Sequence, residues 1–406
     1  MHVIDTPVQI ALEEKYGAHN YHPLPVVLSR GQGVYVWDTD NKKYLDFLSG
    51  YSALNQGHCH PAIIEALTQQ AQRLTLTSRA FYNDKLGPYE KFACEYFGYD
   101  KLLPMNTGVE AVETAIKLCR KWAYRHKKIE ENRALVVVCE GNFHGRTSTV
   151  ISFSSDPDSK EQFGPYMPGF IPVPYDDIDA LTAALQNPHV AGFLVEPIQG
   201  EAGVVVPTEG YLRAAWEACK KANVLFIADE IQTGLGRTGA RLACDHEDVR
   251  PDILILGKAL SGGTLPVSAV LANDEIMLVI QPGQHGSTYG GNPLACAVAA
   301  ASITALEDEN MAANAHEMGV RFREGIERIK SPHIALVRGK GLMSAVVIDH
   351  VDKEAAWKLC MTMMQNGLLA KPTHGDKIRF APPLIITTSQ VDEALSIIEN
   401  SLVVLN

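Results

Sequence analysis

The sequence predicts an α/β protein: a large domain with a mainly parallel sheet between helices, and a smaller α+β domain. Three observations carry this expectation. The middle of the chain alternates short β-branched runs with helical patterns. Several of those runs are almost unbroken apolar stretches, as strands covered on both faces must be. The two chain ends read differently, as a small meander at the start and a mixed helix-and-strand tail at the finish.

In chain order, residues 24–48 (PVVLSRGQGVYVWDTDNKKYLDFL) form the meander, with turns at 30–33 and 38–41. Candidate strands follow at 102–106, 135–139, 170–174, 192–196, 224–229, 253–256 and 266–271. Between them Val109, Val112, Ile116, Cys119 and Ala123 are spaced 3, 4, 3, 4, which puts them on one helix face. Leu212, Trp216, Cys219 and Asn223 trace a second such row. Beyond about residue 300 come a long helix, strands at 334–339, 343–348 and 377–380, and a last helix opening with Ser389-x-x-Asp392, a capping-box-like start. The organisation expected is an N-terminal segment 1–51 belonging to the small domain, a large domain 52–300 and a C-terminal small domain 301–406.

Composition narrows the function classes. Of 406 residues 46% are apolar and 20% charged, enough for a sizeable core and unlike disordered, collagen-like or rod-forming chains. The net charge of −11 is spread without blocks, which disfavours nucleic acid or an anionic membrane surface as partner. No stretch approaches the roughly 18 apolar residues of a membrane span. The start, MHVIDTPVQIALEEKYG, lacks the basic end and apolar centre of a signal peptide, so the expected address is cytoplasmic. Eight cysteines stand singly with no C-x-x-C pair, so free thiols are expected rather than disulfides or zinc.

The strongest chemical signal is ILILGKALSGG, where Lys258 directly follows a buried strand. Ligands of α/β proteins sit at that edge, and partial burial there would lower the amine's pKa and free it as nucleophile or base. A lone lysine in a turn is the competing reading. VLFIADEIQTG places Asp229 at the end of another apolar strand, where its carboxylate needs a cationic or N–H partner. A protonated pyridine nitrogen is one; a helix cap or structural ion pair is the alternative. In MNTGVEAVETA a strand ends, Thr107-Gly108 turns, and a helix starts at Val109, an arrangement that suits an anion but also describes any strand–helix turn. In GNFHGRT, Phe143 offers a stacking face and Arg146 a grip for a carboxylate, unless both are ordinary loop residues.

Together these pieces meet one requirement. Pyridoxal 5′-phosphate needs a lysine for its aldehyde, an acid for its ring nitrogen, an anion site and a stacking face. Four strand ends supply them in an order that resembles the fold type I (aspartate-aminotransferase-like) enzymes, whose large domain holds a seven-stranded sheet. The chain resembles the class III (ω-) aminotransferases and, within them, the ornithine-type branch. The resemblance runs nearly end to end, through AHNYHPLPVVL, VYVWDTDNKKYLDFLSGYSALNQGHCHP, MNTGVEAVETAIK, GNFHGRT, VEPIQGEAGVVVP, ADEIQTGLGRTG, GKALSGG, HGSTYGGNPLA and IRFAPPL. His144 departs from it, standing where relatives carry Trp beside the stacking Phe.

The resemblance implies that Lys258 is the catalytic lysine that also holds the cofactor. It implies Asp229 on the ring nitrogen, Gln232 on the phenolic oxygen, Phe143 against the ring, and the Gly108 and Val109 N–H groups on the phosphate. Thr288 would reach the phosphate of a neighbouring subunit, implying a homodimer with interfacial active sites. Its substrates would be L-ornithine and 2-oxoglutarate in a ping-pong transfer of the δ-amino group, linking arginine and ornithine to proline metabolism. Arg379 would be masked by Glu201 until 2-oxoglutarate arrives, Arg146 would hold the far carboxylate, and Tyr21 and Tyr51 would add hydroxyl contacts. Acetylornithine or 4-aminobutyrate transamination is the alternative within the family, and the two tyrosines decide against it. A catalytically silent binding protein on the same scaffold is the remaining alternative.

Two further patterns are weighed and set aside. GLGRTG (Gly234, Gly236, Gly239) spells G-x-G-x-x-G, but DEIQT separates it from the strand and no helical period follows, so a dinucleotide site is not expected. His58-Cys59-His60 lacks further ligands at metal spacing and reads as an ordered loop.

Overall fold

The computed structural model describes residues 6–406. Its strands, in chain order, are β1 (Leu28–Gln32), β2 (Tyr35–Asp38), β3 (Lys43–Asp46), β4 (Lys101–Met105), β5 (Leu135–Cys139), β6 (Phe170–Val173), β7 (Val190–Val195), β8 (Leu225–Asp229), β9 (Ile253–Leu256), β10 (Ser268–Ala272), β11 (Ile334–Lys340), β12 (Met343–Ile348), β13 (Leu368–Leu369), β14 (Lys371–Thr373) and β15 (Lys377–Phe380). Seven of them form one sheet in the order β4-β10-β9-β8-β7-β5-β6. Its pairings from β9 to β6 are parallel, while β10 runs antiparallel to both its neighbours.

Strand periodicity explains how helices cover both faces. Alternate residues of a strand point to opposite sides. In β5, Val136 and Val138 join Ala111, Val112 and Ile116 of the Gly108–Trp122 helix in one core layer. Val137 and Cys139 join Leu212 and Cys219 of the Tyr211–Lys221 helix in the other. Every residue of β7, β8, β9 and β10 is buried, as the unbroken apolar runs require.

Two smaller sheets come from the chain ends. The meander β1-β2-β3 takes β13 as its fourth, parallel strand, so residues near 45 and near 368 lie side by side. The other sheet runs β11-β12-β15-β14. Four local expectations need correction. The turn expected at 30–33 falls at Gly33–Val34, because Arg30, Gly31 and Gln32 pair with Trp37, Val36 and Tyr35. The helix expected from Val109 begins at Gly108. Asn223 lies beyond the Tyr211–Lys221 helix, with φ +53°. The final helix, Thr388–Ser401, is capped by Thr387, whose box partner is Gln390. Asp392 instead makes a bidentate pair with Arg321 of the Met311–Arg328 helix, at 2.8 and 2.6 Å.

The GLGRTG segment serves the fold. Arg237 is fully buried there. Its guanidinium donates to Asn55 Oδ1 (3.2 and 2.6 Å), Leu342 O (2.8 Å) and Pro382 O (2.6 Å), tying the loop after β8 to both chain ends. Burial, with too little opposing negative charge, lowers its pKa to about 9. Arg237→Leu would strand these buried acceptors at a cost of about 3 kcal/mol, so the variant is expected to unfold at a clearly lower urea concentration than the parent. The His-Cys-His triplet is likewise structural in its contacts: His58 Nε2 meets Asp46 Oδ2 at 2.7 Å and His60 Nε2 meets Glu309 Oε1 at 2.8 Å.

Candidate active site

The C-terminal edges of β7, β8 and β9 face the start of the Gly108–Trp122 helix across a cavity of about 240 Å3. Its walls include Gly108, Val109, Phe143, Asp229, Gln232 and Lys258, so six of the residues singled out in the sequence meet in one place.

The helix start is prepared by its own sequence. Glu110 accepts from the Asn106 and Thr107 N–H groups (3.0 and 2.8 Å), and its own N–H donates to Thr107 Oγ1 (3.4 Å). This capping box leaves the Gly108 and Val109 N–H groups without a protein partner among the described residues. Free N–H groups at the positive end of a 15-residue helix favour an anion. Gly108 leaves room for Ile231, whose Cδ1 would lie 2.9 Å from a Cβ there and would have to shift. Gly145 is required by both space and backbone: it has φ +121°, and a Cβ would meet Val109 Cγ2 at 2.4 Å. That close approach seats the Phe143 loop on the helix start.

Asp229 ends the apolar β8 and is 4% exposed. Its Oδ1 accepts from the Ile231 N–H (3.1 Å) and its Oδ2 meets His144 Nδ1 (2.6 Å). His144 is therefore the protein partner that a buried carboxylate needs. Burial opposes a charged imidazole, but the hydrogen bond and charge of Asp229, with Glu196 behind, prevail and raise His144 above the usual histidine range. Glu196, just past β7, accepts from the Phe143 N–H (2.9 Å) and is pushed up to about 7 by burial, against the pull of His144. Neither His144 nor Glu196 had been assigned a site role from the sequence. The signal for Glu196 was present: VEPIQGE puts a carboxylate directly after a fully apolar strand.

Lys258 starts the short turn after β9 with φ +43°. A lysine in the left-handed region costs about 1–3 kcal/mol, which fixes a conformation that packing alone must hold. Burial lowers its pKa, with the attraction of Glu201 and Asp229 only partly offsetting it.

Beyond the lysine lies a polar lock. Arg379, on β15 and 2% exposed, donates from Nη1 to Glu201 Oε1 (2.6 Å) and from Nη2 to Gln232 Oε1 (2.6 Å). Gln232 Nε2 donates to Glu201 Oε1 (3.2 Å), closing the triangle. Burial raises the Glu201 carboxyl, yet Arg379, Lys258 and Gln232 together bring it below its ordinary value. The Tyr51 ring lies 5.4 Å from the Arg379 guanidinium. It is held there by a turn in which Ser49, Gly50, Tyr51 and Ser52 all have positive φ, between +48° and +70°. Tyr21 is 73% exposed, yet close enough to Tyr51 to affect its charge. Arg146 is exposed, 5.6 Å from the Phe143 ring. Thr288 is exposed on this single chain.

The loop carrying Thr288 is clamped to the same helix. His285 Nε2 meets Thr114 Oγ1 (2.7 Å), whose hydroxyl donates to Glu110 O (2.7 Å), while His285 Nδ1 accepts from Lys117 Nζ (2.9 Å). Burial, then the Lys117 charge, lower the pKa of His285. The unfolded chain takes up that proton near pH 6.5 while the folded chain does not, so this contribution to stability is lost as pH falls below about 6.5. His285→Gln is expected to flatten the fall in Tm between about pH 7 and 5, in thermal melts across that range.

Residues 16–402 match the family model for aminotransferase class-III. The chain belongs to the class III aminotransferases. A relative from Drosophila ananassae, named as a mitochondrial ornithine aminotransferase, is 59% identical over 392 residues, covering 97% of this chain and 90% of its own. The ornithine aminotransferase of Toxoplasma gondii, whose structure has partial occupancy of pyridoxal phosphate, superposes with a TM-score of 0.98 at 50% identity, covering 100% of this chain and 95% of that one. The acetylornithine aminotransferase of Elizabethkingia anophelis superposes with a TM-score of 0.91 at 57% identity, covering 98% of this chain and 99% of that one.

The cofactor of this class III aminotransferase is pyridoxal phosphate. The cavity fits it on its own chemistry. Two unpartnered N–H groups suit an anion, a buried carboxylate backed by His144 suits a ring N–H, and a lysine of lowered pKa lines the same cavity.

Proposed function

We propose that this class III aminotransferase transfers the δ-amino group of L-ornithine to 2-oxoglutarate, giving glutamate and glutamate 5-semialdehyde, which cyclises to pyrroline-5-carboxylate. The observation that carries the reading is the buried Arg379–Glu201 pair at 2.6 Å. An α-amino acid donor needs a free cation near the cofactor for its α-carboxylate. Here that cation is already neutralised, which favours a donor that presents a terminal amine with its carboxylate elsewhere.

Bound pyridoxal phosphate supplies an electron sink for the carbon that loses its proton. The protein residues do the rest. Asp229, beside His144, would hold the ring nitrogen's proton; Phe143 would cover one ring face; Gln232 would reach the phenolic oxygen; the Gly108 and Val109 N–H groups would take the phosphate. Lys258 would take the proton from ornithine Cδ as general base and, as general acid, deliver it to the cofactor carbon that had carried the aldehyde. Arg146, with Tyr21 and Tyr51, holds ornithine's α-carboxylate end. When 2-oxoglutarate enters, Arg379 leaves Glu201 and binds its α-carboxylate, and Arg146 binds the other.

The reading includes a homodimer in which Thr288 completes the neighbouring phosphate site. Support comes from the exposed Phe81, Tyr82 and Tyr289, which lie on adjacent segments, a Cβ at Gly291 falling 3.4 Å from Arg79. It also includes a role between arginine and proline metabolism and a cytoplasmic address, which cell fractionation tests. No helix among the described residues is long and apolar enough to cross a membrane.

The test is a donor panel of ornithine, N-acetylornithine, 4-aminobutyrate and lysine with 2-oxoglutarate, trapping the cyclised product. Ornithine is expected to give the highest kcat/KM. The 57% identity to an acetylornithine aminotransferase favours a second reading, and preference for N-acetylornithine would establish that one instead.

A further inference from the structure

Gly200 follows Gln199 in the segment between β7 and Glu201, and its backbone is not in the left-handed region. Its need for no side chain is therefore not conformational. A Cβ at this position would lie 1.9 Å from Gln232 Oε1, 2.5 Å from Gln232 Cδ and 2.8 Å from Met343 Cε. All three atoms belong to side chains with freedom to move, and none belongs to the backbone. The space left by Gly200 is thus the space in which the Gln232 amide lies across the Arg379–Glu201 pair.

That amide is placed with its polarity matched to both partners. Its oxygen accepts from Arg379 Nη2 (2.6 Å) and its nitrogen donates to Glu201 Oε1 (3.2 Å). Arg379 would have to break both the Glu201 and the Gln232 bonds to receive a carboxylate. The closed state is therefore a triangle, more stable than the ion pair alone, because a hydrogen bond to a buried guanidinium is stronger than one between neutral groups.

We propose that Gly200 is a specificity-determining position: by leaving room for the Gln232 amide over Arg379, it holds the arginine closed and so selects terminal-amine donors over α-amino donors. The inference rests on the reading of Arg379 and Glu201 given under Proposed function and deepens it. Gly200 itself touches no reacting atom and acts through Gln232.

Gly200→Ala tests this, since the Cβ displaces Gln232 while leaving the backbone unstrained. The holoenzyme is followed by single-turnover half-reactions with ornithine and with glutamate, and by the KM for 2-oxoglutarate. The expected result is a rise of about tenfold in the ratio of glutamate to ornithine kcat/KM, with a lower KM for 2-oxoglutarate, because Arg379 opens more readily. The shift is expected to vanish in an Arg379→Lys background, as coupling through that guanidinium requires. Gln232→Met removes both amide bonds without touching position 200; it also removes the phenolic-oxygen contact proposed above, a loss common to both donors that cancels in their ratio, so the ratio is still expected to move in the same direction and the idea remains testable if Gly200→Ala folds poorly. An unchanged ratio, an equal loss for both donors, or a shift that persists without Arg379 would overturn the assignment. The parent enzyme's donor panel separates the two failures. A parent that does not prefer a terminal-amine donor refutes the proposed function; a parent that prefers ornithine, with variants that keep its discrimination, refutes only the role of Gly200.

Discussion

Lys258→Ala is expected to lower turnover by at least about a thousandfold, because the group that moves the proton at ornithine Cδ is gone. The amine has the features of a proton carrier. Burial lowers its pKa, and its turn fixes it at φ +43° beside the helix start. The parent, reduced with borohydride and digested, should carry the cofactor on the peptide containing residue 258; the variant should carry none there. Phe143, Asp229 and the helix N–H groups are untouched by the change, so the variant should still bind pyridoxal phosphate reversibly. Full turnover in the variant, or a parent labelled at another lysine, would refute the assignment.

Glu201→Ala is expected to change which amine is accepted. The substitution removes the carboxylate facing a guanidinium that is 2% exposed. Leaving such a charge unpaired costs about 3–5 kcal/mol, and an incoming α-carboxylate recovers part of it. Glutamate as first donor should gain about a hundredfold in kcat/KM relative to ornithine, the equivalent of about 2.7 kcal/mol. Half-reaction kinetics with each donor alone read this directly. The variant should also melt earlier than the parent until 2-oxoglutarate or glutamate is added, since a ligand that repairs the pair stabilises the folded state. Unaltered donor preference would rule out the masking role.

Much of the site was legible in the sequence because its residues sit at the ends of apolar strands. Asp229 after VLFIA and Lys258 after ILILG are charges where the pattern demands burial, and such a conflict marks function. The helix start was legible, one residue late, from the strand end and the Thr107-Gly108 turn, while its capping box came only with the structure. The covering layers followed from period-2 and period-3.6 patterns that β5 and the Gly108–Trp122 helix obey. What escaped was what depends on the meeting of distant segments. His144 stands 85 residues from its partner Asp229, and no local pattern announces the contact. Gln232, 147 residues from Arg379, is placed only when β15 docks. Thr387, with Gln390, caps the last helix in place of Ser389, and Asp392 pairs with Arg321 of another helix, again a tertiary contact. In GLGRTG the buried arginine that holds both chain ends was invisible without them.

That arginine joins segments that lie far apart in the order of synthesis. All seven strands of the large sheet, with Lys258, Asp229 and the Gly108–Trp122 helix, are encoded before residue 273, although one face of β9 and β10 is covered by later residues such as Ala295 and Ile303. Arg237 still lacks its acceptors at Leu342 and Pro382, and Glu201 still lacks Arg379. A transcript cut short after residue 330 would therefore encode Lys258, Asp229 and Phe143 without Arg379, and would leave Arg237 short of two of its carbonyl acceptors.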